Sequence, residues 1–301
     1  MRFHLNKIDW KRSSEDRRLK FNIGLAVVLI IFFAFFIDII FSIYKFKGYI
    51  EERPKEKKVQ KEEVKKEKPK KALILKKLFA KVKIAIILDD AGGKIPDYKK
   101  IFSIGEKITI SVLPCLSTSA DVAKDAKKAG LEVMLHMPME PENGSLVRHN
   151  SGMILCSASD EAIKRTTLND MGWVSAAKGF NNHEGSKATK DERVMKAVFE
   201  AIKSKNIYFI DSRTSSNSLA FRTAKEMHVR SADNDIFLDG GTNEADIESK
   251  FRQLISIGKT RGKAIGIGHA TRPSTINVLK RLMPEYAKSG VQFVYASEIA
   301  K

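Results

Sequence analysis

The residues of this 301-residue chain that could do chemistry are acids and histidines standing where apolar runs stop. Asp89 and Asp90 follow the run 84–88, and His136 follows the run 132–135. Asn181, Asn182 and His183 follow 178–180, Asp211, Ser212 and Arg213 follow 207–210, and His269 follows 264–267. Adjacent carboxylates are costly to desolvate together unless a cation or a proton compensates. A set of His, Asp and Glu with one open position is what a catalytic divalent metal requires, zinc first among them. Each residue alone has a plainer account: an aspartate capping a helix, a satisfied histidine at a barrel mouth, a turn histidine, a histidine fixed by flanking glycines. Glu140 lies four residues past His136, but Pro138 between them argues against the helical turn that would pair the two. The signal is their coincidence at strand ends.

Elements that could place them there are legible after Lys83. Short apolar runs at 84–88, 108–113, 132–135, 178–180, 207–210, 236–238, 264–267 and 292–295 read as strands with amphipathic segments between them. A helix is expected from about 121 to 129, with serines before it and Gly130 after it. Thr189 and Glu192 read as a capping box opening the helix that runs through VMKAVFEAI. Pro273 suits the first turn of a helix that Gly290 ends, with a kink expected at Pro284. Alternating strands and helices imply a parallel sheet, open and doubly wound or closed. Because the polar residues fall at C-terminal strand ends, which converge on one rim in a barrel, the α/β fold expected is a distorted (β/α) barrel of seven to eight parallel strands.

Charge separates this domain from what precedes it. Residues 1–83 hold 23 Lys and Arg against 10 Asp and Glu, and the remaining residues 31 against 26. The net +18 is therefore largely N-terminal, which argues against nucleic acid as a partner, since a binding domain would carry its basic stripe on a folded surface. Residues 21–44 contain a single charge, Asp38, and are long enough to span a bilayer. The run is too long for a cleavable signal and no Ala-x-Ala-like site follows it, so a retained transmembrane anchor is expected. Residues 1–20 form a basic segment before it, and residues 45–83 a Lys/Glu-rich tether too poor in apolar surface to fold. Both flanks are basic, so charge bias leaves the orientation open. Two cysteines without Cys-x-x-Cys spacing exclude a disulfide scaffold, and no G-x-G-x-x-G, P-loop or G-x-S-x-G is present.

Six blocks in order, ILDDAG (87–92), LHMPMEP (135–141), NNHEGS (181–186), FIDSRT (209–214), FLDGG (237–241) and IGHATRPST (267–275), resemble the divergent polysaccharide deacetylases, a branch of the NodB-like superfamily. The resemblance covers nearly all of residues 84–301. It implies a metal-dependent hydrolase acting on N-acetyl or O-acetyl groups of an envelope carbohydrate polymer, on the periplasmic side of the cytoplasmic membrane. By the same resemblance Asp89 is the catalytic base, Asp90 and His136 bind the metal, and His269 is the general acid, with Asp211 placed to orient it. Glu140 stands where a second metal histidine would, which leaves Glu140 and His183 as contenders for the third ligand. Asn182, Ser186 and Arg213 are the positions expected to bind substrate. The altered block also fits a second function class, a barrel that has lost catalysis and binds glycan or assists assembly, and a hydrolase of phosphate or ester substrates stands behind both.

Overall fold

A computed structural model describes residues 82–93, 98–143, 152–241 and 243–301. The expected anchor at 21–44 and nearly all of the tether lie outside these residues. Among the described residues no helix is long and apolar enough to cross a membrane. The described chain lies within one compact unit.

Nine strands and seven helices alternate along it. The strands are β1 (Lys83–Ala91), β2 (Thr109–Val112), β3 (Glu132–Met139), β4 (Gly179–Glu184), β5 (Tyr208–Asp211), β6 (Ser231–Asp233), β7 (Ile236–Phe237), β8 (Lys263–His269) and β9 (Gln292–Val294). The helices are α1 (Tyr98–Phe102), α2 (Ser119–Lys128), α3 (Asp160–Trp173), α4 (Glu192–Ile202), α5 (Ala220–Glu226), α6 (Glu244–Arg261) and α7 (Pro273–Lys288). The sheet order is β6-β5-β4-β3-β2-β1-β8-β7, with β9 also paired to β1, and every pairing is parallel. The result is a half-barrel rather than a regular eight-stranded ring. Its edge strands β6 and β7 are consecutive in the chain, and Asp235 between them bonds the backbone of Ile265 in β8.

Side chains of a strand alternate between faces, and two separate apolar clusters show which face is which. Ala85, Ile87, Met134, Tyr208, Ile210, Ala232, Ile265 and Ile267 form the cluster on the concave side of the sheet. The residues between them, such as Ile86, Val133, Leu135 and Phe209, join the larger cluster packed beneath the helices. Continuing the concave parity to the C-terminal strand ends gives Asp89, Ser111, His136, Asn181, His183 and His269.

The sequence-based boundaries need four corrections. β3 and β4 run on through His136 and His183, so these histidines lie within strands rather than after them. α4 is capped by Asp191, whose side chain accepts from the Val194 N–H, while Thr189 sits in a preceding 3₁₀ turn and bonds Gly185. α2 starts at Ser119 with no side-chain cap; the Ser119 hydroxyl bonds the Leu113 carbonyl instead. β6 has only three residues and carries no apolar run to announce it.

Candidate active site

The adjacent acids reach one site because β1 is irregular there. Its register against β2 slips between Leu88 and Ala91, and Asp90 adopts φ +61°, a left-handed conformation uncommon for a residue with a side chain. The slip cancels the alternation that would otherwise send Asp89 and Asp90 to opposite faces. Gly92 follows at φ +115°, where a Cβ would stand 2.9 Å from the Leu113 carbonyl, so only glycine lets the loop close against β2.

Three atoms converge. Asp90 Oδ1 lies 3.3 Å from His136 Nε2 and 3.2 Å from His183 Nδ1, and the two imidazole nitrogens are 2.9 Å apart. A tetrahedral cation with bonds near 2.1 Å would hold such atoms about 3.4 Å apart, so the triangle matches one face of a coordination shell. Two further observations fit a cation. Among the described residues Asp90 Oδ1 is buried without a hydrogen bond of good geometry, a costly state for a carboxylate oxygen. And the tautomer of His136 is fixed from behind: Asn181 Nδ2 donates to Asp89 Oδ1, so Asn181 Oδ1 accepts from both the Ser111 hydroxyl and His136 Nδ1–H. That leaves the Nε2 lone pair of His136 aimed at the triangle, the arrangement of a metal histidine with an outer partner.

Asp89 and His269 flank the triangle on neighbouring strands, in register with each other. Burial pushes the Asp89 carboxyl up, against the opposing pull of His136, Asn181 and His269. Burial acts on Asp90 in the same direction but is outweighed by the His136 and His183 imidazoles, which hold its carboxyl well below the usual carboxylate range. His136 is raised because its two aspartate neighbours outweigh its own burial. His269 Nδ1 bonds Asp239 Oδ1 at 2.8 Å, while Asp239 Oδ2 accepts from the His269 N–H and the Thr275 hydroxyl. Burial would lower His269, and the Asp239 carboxylate outweighs it and raises it.

Residues 86–300 match the family model for divergent polysaccharide deacetylases. The chain belongs to this family. An uncharacterized protein of Haemophilus influenzae is 35% identical over 210 residues, covering 69% of this chain and 74% of that one. The uncharacterized protein YibQ of Escherichia coli K12 is 33% identical over 201 residues, covering 67% of this chain and 62% of its own length. Among solved structures, an uncharacterized protein of Agrobacterium tumefaciens C58 shares the fold with a TM-score of 0.67 at 21% identity, over 73% of this chain and 89% of that one.

In this member of the deacetylase family, Asp90, His136 and His183 are, among the described residues, the group whose ligand atoms meet, all within 4.8 Å of one another. Glu140, the other contender for the third ligand, is elsewhere: Oε1 pairs with Lys187 at 2.5 Å and Oε2 accepts from the Cys156 N–H. The reason is strand geometry, since four residues of extended chain span about 13 Å and separate what a helical turn would join. Asp211 does not orient His269. It has the parity opposite to Ile210 and caps α5, accepting from the Arg213 N–H, the Ser218 hydroxyl and the Phe221 N–H. Asp239 holds that role; it stands in the FLDGG block just after β7, beside β8, and its neighbour in the sheet was the signal that could have found it. Asn182 holds Ser212 and Thr214, Ser186 accepts from the Glu142 N–H, and Arg213 pairs with Asp233, so each of the three positions expected to bind substrate is engaged with protein.

Proposed function

We propose that this protein is a membrane-anchored, divalent-metal-dependent hydrolase that removes acetyl groups from an envelope carbohydrate polymer, with its folded domain on the periplasmic side. The observation that carries the reading is the triangle of Asp90, His136 and His183 flanked by a buried carboxylate and a carboxylate-held histidine. A divalent cation, zinc by the chemistry of the donor set, would supply Lewis-acid polarisation of an acetyl carbonyl and acidify a neighbouring water toward a pKa of about 7. Asp89, its affinity for protons raised by burial, takes the proton from the attacking water. His269, its Nδ1–H held by Asp239, presents Nε2 and in its protonated form hands a proton to the departing amine or alkoxide. Asn181 does no chemistry; it keeps Asp89 and His136 in register.

The test is acetate release from acetylated amino-sugar polymers, paired with elemental analysis of the purified chain. Stoichiometric metal, turnover abolished by chelation, and turnover lost in Asp89→Asn with metal retained are the expected results. Glycan binding without metal or turnover would establish the inactive binding module in its place.

A further inference from the structure

The described residues hold a cavity of about 570 Å³, apart from the candidate active site, between the loop after β2 and the C-terminal half of α3. Its lining is unusual for surface: Leu168 and Trp173, the two large apolar side chains most exposed among the described residues, at 41% and 46%, both face it. Two large apolar side chains exposed in the wall of one cavity form a patch of the kind that marks a binding surface. The polar part of the lining is Thr166, Asn169 and Asp170 from the same helix.

Asp170 is the second, independent observation. It is 1% exposed, and its Oδ2 has no hydrogen-bond partner among the described residues. Gly152 backs directly onto the carboxyl, where a Cβ would come within 2.4 Å of Oδ1, and its φ of +96° suits glycine alone. A buried acid behind a cavity wall, one of its oxygens unpartnered among the described residues, costs stability unless a donor reaches it. Burial pushes its carboxyl up to about 8, so near neutral pH it is a neutral group able both to donate and to accept.

An aromatic face beside amide, hydroxyl and neutral carboxyl groups is the complement of a pyranose ring, which presents apolar C–H faces and hydroxyl edges. We propose that this cavity is a distal sugar-binding subsite that grips a ring of the polymer away from the one being deacetylated, with Trp173 as its stacking platform and Asp170 and Asn169 bonding hydroxyls. The inference rests on the carbohydrate reading of the metal site. One wall of the cavity is tied to the site: Leu113 N–H bonds the Ala91 carbonyl and the Thr118 hydroxyl bonds the Gly92 carbonyl, so the loop carrying Cys115 is held against the loop carrying Asp89 and Asp90.

The experiment uses the full chain in detergent, with an acetylated amino-sugar hexamer as the binding probe and a small soluble acetyl ester as the turnover probe. Trp173→Ala is expected to weaken hexamer binding about tenfold, the scale of one lost aromatic stack, and Trp173→Phe to recover most of it. Metal content and turnover of the small ester stay unchanged in both. Hexamer binding that is absent from the wild type, or unaltered in Trp173→Ala, overturns the proposal. If the wild type shows no ester turnover while hexamer binding keeps its dependence on Trp173, the hydrolase reading fails and the subsite stands.

Discussion

Asp239 shows how far a side chain's role depends on its partners. It presents one oxygen to His269 Nδ1 and the other to the His269 N–H and Thr275, so it fixes both the ring and the strand that carries it. Because its carboxylate raises His269, the imidazolium that the proposed proton donation calls for survives to higher pH than it would alone. Replacing it with an amide lowers the His269 pKa, so in Asp239→Asn the alkaline limb of the kcat profile should move to lower pH. We expect kcat to fall by about 10²-fold or more, with KM little changed, as for loss of a positioned general acid. A profile unmoved along the pH axis would show that His269 donates no proton. The ligand set has its own test. Asp90→Ala and His183→Ala should each lose bound metal by elemental analysis, whereas Glu140→Gln should keep it, since Glu140 is spent on Lys187 and Cys156. Acids and histidines at strand ends were visible in the sequence; which of His183 and Glu140 joins the site was not, because that choice is set by strand extension and cross-strand register.

At the scale of elements, strand parity decides what each side chain meets. Gly179 opens β4 on the concave face beneath the Tyr208 ring, and a Cβ there would lie 2.5 Å from ring carbons. The ring cannot swing away freely, because its hydroxyl bonds the buried Glu132. Gly179→Ala should therefore cost about 1–3 kcal/mol in denaturant unfolding, the usual range for overpacking a filled interior. α3 gives a prediction of opposite sign. Asp170 ionises near 3.8 when unfolded and at about 8 when folded, so the folded state holds the proton more tightly and stability drains away as pH rises from 4 to 8. Asp170→Asn escapes that loss, so its stability advantage over the wild type, read from denaturant unfolding or Tm, should widen across the same interval toward a ceiling on the order of 5 kcal/mol by linkage. A constant difference from pH 4 to 8 would mean that Asp170 is already ionised in the fold. All eight apolar runs became strands. The slip in β1 at Asp90 and the three-residue β6 were not legible, since one is a backbone irregularity with no composition of its own and the other has polar residues at two of its three positions.

Across the whole molecule the charge lies apart from the chemistry. Residues 45–83 hold 15 Lys and one Arg against six Glu, enough to bind an anionic lipid surface by themselves, so finding the protein on membranes would not establish an anchor. Salt separates the two contributions. At 1 M the Debye length falls to about 3 Å and lysine–lipid attraction is screened, while burial of an apolar span is untouched. With residues 21–44 in the bilayer, the full chain should stay in the membrane fraction through a wash of about 1 M salt and leave it only in detergent. The same chain lacking residues 21–44 should stay bound at low salt through its lysines and elute in the wash. Elution of the full chain by salt would reduce the attachment to electrostatics and remove the tether's purpose. Retention would fix one end of a chain of some forty residues at the bilayer, confining the site to carbohydrate within the tether's reach.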